Sequence, residues 1–95
     1  MSLGINVTYR TKLGQRQAFL DALSAAGIRE AVRQEAGCLK YDYYLSVSEP
    51  DQVLLVEQWE SREAQQVHLS QPHMARVREI KERLVEETVL NSYEV

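Results

Sequence analysis

The segment from Val53 to Glu60 constrains the fold most, because its alternating residues are apolar on both sides over its first half. A period of two is the pattern of a β-strand, whose successive side chains point to opposite faces of a sheet. A strand that is apolar on both faces is expected to be covered on both faces. One predicted face carries Val53, Leu55, Glu57 and Trp59, and the other carries Leu54, Val56, Gln58 and Glu60.

Three further segments alternate in the same way, with helical spacing between them. The first helical stretch changes its apolar register at Gly27, where we expect a kink or a break, since glycine costs about 1 kcal/mol in a helix interior. The order β-α-β-β-α-β, with the second α split in two, predicts a single α+β domain over residues 1–95 with a ferredoxin-like antiparallel sheet. The predicted strands cover residues 3–10, 38–45, 53–60 and 85–95, and the helices start after Gly14, at Ser61 and at Pro72.

One face of this sheet has no predicted helix to cover it. Leu54 and Val56 on the third strand and Leu90 on the last strand would leave an apolar surface that soluble monomers rarely expose. A second copy of the sheet is the simplest cover. The sequence therefore predicts a homodimer with its sheets packed face to face about a two-fold axis.

Composition and charge limit the partners that this chain can have. The 95 residues are 44% hydrophobic and 26% charged, which predicts a soluble globular domain without a membrane span. The net charge of −3, with lysine and arginine interleaved with glutamate, argues against binding to nucleic acid. Cys38 is the single cysteine, and no charged and apolar leader precedes the first strand, so we expect a cytoplasmic protein.

The residues best suited to proton transfer near neutral pH lie in one short segment. Trp59 ends the third strand, and both histidines of the chain, His68 and His73, follow it closely. Histidine is the natural general base at this pH, and a positioned base contributes about 10² to 10⁴ in rate. Each residue also has a plain structural interpretation. Trp59 could anchor the core, His68 could bond a backbone carbonyl, and His73 could cap the last helix.

The sequence gives little support for a cofactor. A glycine-rich phosphate loop is missing, so no nucleotide cofactor is expected. The two histidines have no third metal ligand at a suitable spacing, which makes a zinc site a weak hypothesis. We therefore expect neither a nucleotide cofactor nor a zinc ion.

Four motifs follow one another along the chain: Glu35-Ala36-Gly37-Cys38-Leu39 with Tyr41, Val56-Glu57-Gln58-Trp59-Glu60-Ser61 with Ala64, His68-Leu69, and Ser70-Gln71-Pro72-His73-Met74. In combination they resemble the antibiotic biosynthesis monooxygenase domain, including its quinol monooxygenase members, over nearly the whole chain. The resemblance implies a dimeric α/β barrel with a pocket between sheet and helices in each subunit. It also implies oxygenation of phenolic or quinol-like polycyclic substrates by O2 without metal, flavin or other added cofactor.

The resemblance guides the choice of catalytic residues. Trp59 would shape the pocket, and His68 or His73 would act as the base. Tyr41 would donate a hydrogen bond to the substrate oxygen. Some family members use an asparagine on the first strand to orient oxygen or substrate, and the equivalent position here looks like Val7.

A substrate of this kind also needs room. A drug-sized ligand requires a cavity of about 300 Å³ or more, which we expect Trp59 and at least one imidazole to line. The residues predicted to bind the substrate are Tyr41, Tyr43, Glu57, Leu55, Val7 and Met74.

Two other functions fit the same residues. The fold hosts proton-transfer chemistry that needs only a base, so the chain could be a non-oxidative isomerase of a small enolisable metabolite. Turnover under nitrogen would separate this enzyme from an oxygenase. The chain could also be a non-catalytic dimer that binds aromatic ligands without consuming O2, and the missing polar residue at Val7 favours that alternative.

Overall fold

The computed structural model describes residues 2–95, and its elements follow the predicted order. Within these residues, no helix is both long enough and apolar enough to cross a membrane. The elements are β1 (Leu3–Thr11), α1 (Arg16–Ala25), α2 (Ile28–Arg33), β2 (Cys38–Leu45), β3 (Gln52–Trp59), α3 (Arg62–Leu69), α4 (Pro72–Leu84) and β4 (Val85–Glu94).

The four strands form one antiparallel sheet in the order β2-β3-β1-β4, which confirms the ferredoxin-like prediction. β1 and β3 are the two inner strands. Val7 of β1 lies opposite Leu55 of β3 on one side and opposite Leu90 of β4 on the other. The register of the sheet therefore follows from the pairing of its most apolar strands.

The predicted break in the first helical stretch is confirmed at Gly27, which separates α1 from α2 with a φ of +64°. Glycine adopts this left-handed conformation without the steric cost that a Cβ atom would add. The turn lets both short helices face the sheet. Phe19 and Leu23 of α1, and Ile28 and Val32 of α2, are each at most 4% exposed.

The helices cover one face of the sheet, which we call the helix side, and the opposite face is the outer side. The predicted faces of β3 are confirmed, because Val53, Leu55, Glu57 and Trp59 are buried on the helix side. On β2, Tyr41 lies opposite Glu57 and Tyr43 opposite Leu55, which places both rings on the helix side. Tyr44 lies opposite Leu54, which places it on the outer side.

The predicted place of Leu90 on the outer side is wrong. Leu90 lies opposite Val7, whose side chain is buried on the helix side. β4 is apolar on both faces, with Val89 directly before Leu90, so alternation alone does not say which face is outward. The apolar residues that β4 adds to the outer side are Val89, Tyr93 and Val95.

Candidate active site

Trp59 and His68 meet on the helix side at the end of β3. Their ring centroids are 4.6 Å apart with an angle of 36° between the ring planes. α3 brings His68 to this place, and the hydroxyl of Ser61 accepts a hydrogen bond from the amide of Ala64 at 3.1 Å. A serine cap of this kind fixes where a helix begins. The sequence after Trp59 thus sets the position of His68 over the indole.

Glu57 is a buried carboxyl beside these rings. It precedes Trp59 by two residues on the same face of β3, and the indole Nε1 donates a hydrogen bond to Glu57 Oε1 at 3.0 Å. Burial raises the pKa of Glu57, and the nearby Glu35 raises it further. The indole hydrogen bond and His68 both oppose that rise. Glu57 therefore carries its charge at a cost in this setting.

Glu35 joins the two histidines. Its Oε2 atom lies 2.9 Å from Nδ1 of His68 and 2.7 Å from Nε2 of His73. An ionised carboxylate only accepts hydrogen bonds, so each imidazole donates to the same oxygen. The second oxygen, Oε1, is buried and has no hydrogen-bond partner among residues 2–95. Two donors thus share one oxygen while the other oxygen stays unused.

Sequence reasoning assigned no role to Glu35. This residue stands in the sequence only as the first residue of the Glu35-Ala36-Gly37 motif. The signal that could have identified it is the helical spacing that buries Ile28 and Val32 of α2, which continues to Glu35 two residues beyond the end of that helix. A glutamate on a buried stripe needs a partner inside the protein.

These side chains form a chain of polar groups that runs from the core to the surface. Nε2 of His68 lies 4.0 Å from Glu57 Oε1, so the order is Trp59, Glu57, His68, Glu35 and His73. The His68 side chain is 2% exposed, and the His73 side chain is 22% exposed. Of the side chains in this series, His73 is therefore the one that an outside molecule can reach.

The tyrosines on β2 complete the wall around His68. The Tyr41 ring stands edge-on to His68 with centroids 5.9 Å apart, and to Tyr43 with centroids 5.8 Å apart. Burial raises the pKa of Tyr41 far above its ordinary range and the pKa of Tyr43 to about 12. Both phenols stay protonated near neutral pH, so they can donate hydrogen bonds but are not bases.

None of five clefts on residues 2–95 is the predicted cavity. These clefts have volumes of about 110 to 320 Å³, and neither Trp59 nor an imidazole lines any of these five. Tyr43 borders the smallest, at about 110 Å³. The reason is that the stacked rings of Trp59 and His68 fill the space that we expected to be hollow.

The remaining residues of the predicted site lie at different depths. Val7 and Leu55 face each other across β1 and β3 inside the hydrophobic core. Met74 follows His73 at the start of α4 and packs against the core while partly exposed. Val7 and Leu55 thus pack as core residues, whereas Met74 lies beside the accessible imidazole.

The expectation that the histidines have no third metal ligand is also wrong. Glu35, His68 and His73 each offer one ligand atom, and these atoms lie within 4.8 Å of one another. The three residues come from different segments, and Glu35 and His68 are 33 positions apart, so no local spacing could show the set.

Comparison with known proteins identifies the family of this chain. A family model described as antibiotic biosynthesis monooxygenase matches residues 2–80. The chain belongs to this family. The Escherichia coli K12 protein named "Probable quinol monooxygenase YgiN" is 41% identical, and the match covers 68% of this chain and 70% of that protein.

Solved structures share the fold at lower identity. PA3566 from Pseudomonas aeruginosa has a TM-score of 0.87 and 24% identity, with 99% of this chain and 93% of that chain covered. Rv0793 from Mycobacterium tuberculosis has a TM-score of 0.86 and 23% identity, with 100% and 95% covered. Likeness at this level of identity shows the fold and leaves the function to the site.

Proposed function

We propose that this protein is a cofactor-independent monooxygenase that oxidises a quinol-like or polycyclic phenolic small molecule with O2. The observation that carries the proposal is the Glu35 carboxylate bridging His68 and His73, one buried and one accessible. Membership of the monooxygenase family and the likeness to a quinol monooxygenase support the same reaction. His73, with the polar groups behind it, supplies the base that such chemistry needs.

His73 is the residue that takes the proton. Its Nε2 hydrogen is held by Glu35 at 2.7 Å, which leaves Nδ1 free to accept the phenolic proton. The adjacent carboxylate stabilises the imidazolium that forms, as the third member of a catalytic triad does for its histidine. His68, Glu57 and Trp59 hold Glu35 in place from behind and exclude water from it.

The reaction balances without a further reductant. The phenolate left by proton transfer is an electron-rich donor and gives one electron to O2, which forms a phenoxyl radical and superoxide. The two radicals join at a ring carbon to form a hydroperoxide. Loss of water from that hydroperoxide gives the quinone, so one phenol and one O2 yield one quinone and one water.

We propose that the working unit is a homodimer of single-domain subunits in the cytoplasm. Support for the dimer comes from the outer side of the sheet, where Tyr44, Val89, Tyr93 and Val95 are each at least 43% exposed. Contiguous apolar surface of this kind marks an interface. Packing two outer sides together would bury these residues and keep the site of each subunit on its own helix side. The lone Cys38, which is free, fits a reducing compartment.

An oxygen electrode tests this function. The purified protein is supplied with a panel of naphthols and hydroquinones, and O2 uptake is compared with that of His73→Ala and Trp59→Phe. We expect His73→Ala to lose about 10²-fold or more in kcat, because it removes the base. Glu63→Gln, at an exposed glutamate on α3, is the matched control and should retain the full rate. Uptake that neither site substitution changes would refute the assignment.

A non-oxidative isomerase is the second candidate, and the accessible imidazole of His73 favours it. His73, held by Glu35, can remove a proton from one carbon and return it to another, and this transfer requires no O2. The same substrates incubated under nitrogen separate the two reactions, since only the isomerase turns over without oxygen.

A further inference from the structure

The three groups at the centre of the site have more capacity for ligands than the protein uses. Glu35 Oε1 is a buried oxygen without a partner, and the Glu35 side chain is only 9% exposed. A buried polar atom that lacks a hydrogen bond destabilises the folded protein. Glu35 Oε2, by contrast, accepts from both imidazoles. This uneven arrangement indicates that a further positively charged group belongs here.

The donor set and its spacing fit a divalent transition-metal ion. Two imidazole nitrogens and one carboxylate oxygen lie within 4.8 Å of one another. Tetrahedral zinc holds nitrogen and oxygen ligands at about 2.0 to 2.2 Å, so neighbouring ligand atoms are about 3.3 Å apart. The 2.7 and 2.9 Å contacts to Glu35 Oε2 would need to open by roughly half an ångström. Ligand atoms that lie as far apart as 4.8 Å would also need to close toward the same spacing. Rotation of the Glu35 side chain and of the partly exposed His73 side chain would make both adjustments.

The groups behind the histidines have the form of an outer coordination shell. A histidine that binds a metal usually donates its other ring N–H to a carboxylate, which fixes the ring and strengthens the ligand. Nε2 of His68 points away from Glu35 and lies 4.0 Å from Glu57 Oε1. Glu57 is itself held by the indole N–H of Trp59 at 3.0 Å. Glu57 thus places a carboxylate on the far side of His68, and a movement of about 1 Å would bring it within hydrogen-bond distance of Nε2 when Nδ1 binds the ion.

We propose that Glu35, His68 and His73 bind one divalent transition-metal ion of the Zn²⁺ class. Three protein ligands leave the fourth position of the ion open, toward the accessible side of His73. Coordination through His73 Nε2 would place the ring hydrogen on Nδ1, the nitrogen that accepts the phenolic proton in the metal-free reaction, so metal binding and base catalysis exclude each other at this site. Zn²⁺ is thus expected to act as an inhibitor of the metal-free reaction.

Co²⁺ provides a direct probe of the site. The full chain, first stripped of metal with a chelator, is titrated with Co²⁺ while its visible absorption is recorded, and Zn²⁺ binding is measured by calorimetry. The test variants are Glu35→Gln and His73→Gln. His73 is partly exposed, so its variant should fold even if Glu35→Gln does not. The controls are Glu63→Gln, an exposed glutamate on α3, and Cys38→Ser, which removes the free thiol.

We expect one Co²⁺ per chain, an intense visible band typical of tetrahedral coordination, and full displacement by Zn²⁺. Both test variants should bind at least about tenfold more weakly, and both controls should bind like the original chain. No saturable binding, equal binding by the test variants, or loss of binding in Cys38→Ser would overturn the proposal. Because binding is measured without substrate, its failure would leave the proposed oxygenase standing, and a failed oxygen assay would leave the metal site standing.

Discussion

Leu54 and Leu55 are neighbours on β3 and differ in the face of the sheet that they occupy. Leu55 is 1% exposed on the helix side, whereas Leu54 is only partly buried on the outer side. The helix side packs Leu55 and the candidate site within one chain, and it holds all the polar groups of that site. The outer side carries apolar residues of β2, β3 and β4 that one chain leaves uncovered.

The two faces of the sheet therefore have separate roles. The helix side fixes the geometry of Trp59, Glu57 and His68 through packing that no partner is needed to finish. The outer side contributes nothing to the site directly and is available for assembly. Substitutions on the two faces should therefore fail in different ways.

The largest effect should come from Leu55→Ala. Removing a fully buried leucine costs about 2 to 5 kcal/mol of unfolding free energy, because the core loses contacts and gains a cavity. Urea denaturation measures this loss. The matched Leu54→Ala variant should lose less, and its loss should depend on protein concentration if the outer side is an interface. If both variants lost the same unfolding free energy at every protein concentration, the two faces would not differ in the way we describe.

Val56→Asp should separate the subunits and leave each one folded. The carboxylate would lie among the apolar residues of the outer side, where a face-to-face dimer would have to bury it at high cost. Analytical ultracentrifugation at micromolar concentration should show a dimer for the original chain and a monomer for the variant, with equal helical content by circular dichroism. A variant that sediments like the original chain would contradict the proposed interface.

Glu57→Gln tests the cost of a charge on the sealed side. Burial raises the pKa of Glu57 in the folded state. The stability that protonated Glu57 provides is thus present below its unfolded pKa and is lost as the pH rises through its folded pKa. Glutamine does not titrate, so the variant should be more stable than the original chain near neutral pH, with the difference vanishing in acid. Urea unfolding of both proteins across this pH range measures the difference in unfolding free energy. A difference that does not change with pH would refute the raised pKa of Glu57.

The smallest effect should come from Arg29→Ala on α2, whose partner Asp42 lies on β2. Arg29 binds Asp42 at 2.7 Å and holds the pKa of that carboxyl below its ordinary value. Its stabilising effect is therefore present above the unfolded pKa of Asp42 and is lost as the pH falls through the folded pKa. Both side chains are partly exposed, so solvent screens the pair and the change in stability should be slight. A loss of stability that persists in strong acid would indicate that Arg29→Ala removes packing contacts and not the ion pair with Asp42.

Much of the fold follows from local patterns. Alternation along residues 3–10 and 53–60 places each side chain on the face that the structure shows, since both strands are flanked by others and cannot choose a different register. The change of helical register marks Gly27, where glycine alone accepts the required backbone conformation. Leu90 could not be placed, because an edge strand that is apolar on both faces fits either orientation.

The site was predictable only in part. Trp59 and His68 converge as expected, because they are close in sequence and joined by a capped helix. Glu35 was missed because its contact with His73 spans 38 residues and depends on how α2 and α4 pack. The cavity expected beside Trp59 was misjudged for the same reason. Whether the Trp59 and His68 rings leave a cavity between them depends on their three-dimensional packing, which the order of residues does not give.

The most direct test of the site is the kcat of O2 uptake for Glu35→Gln beside that of Glu63→Gln. If the bridging carboxylate positions the base, Glu35→Gln should lose about 10²-fold or more in kcat with little change in KM. Glu63→Gln should keep the original kcat. A Glu35→Gln protein that is folded and turns over at the original rate would contradict the central claim that the Glu35-bridged histidines are the reactive centre.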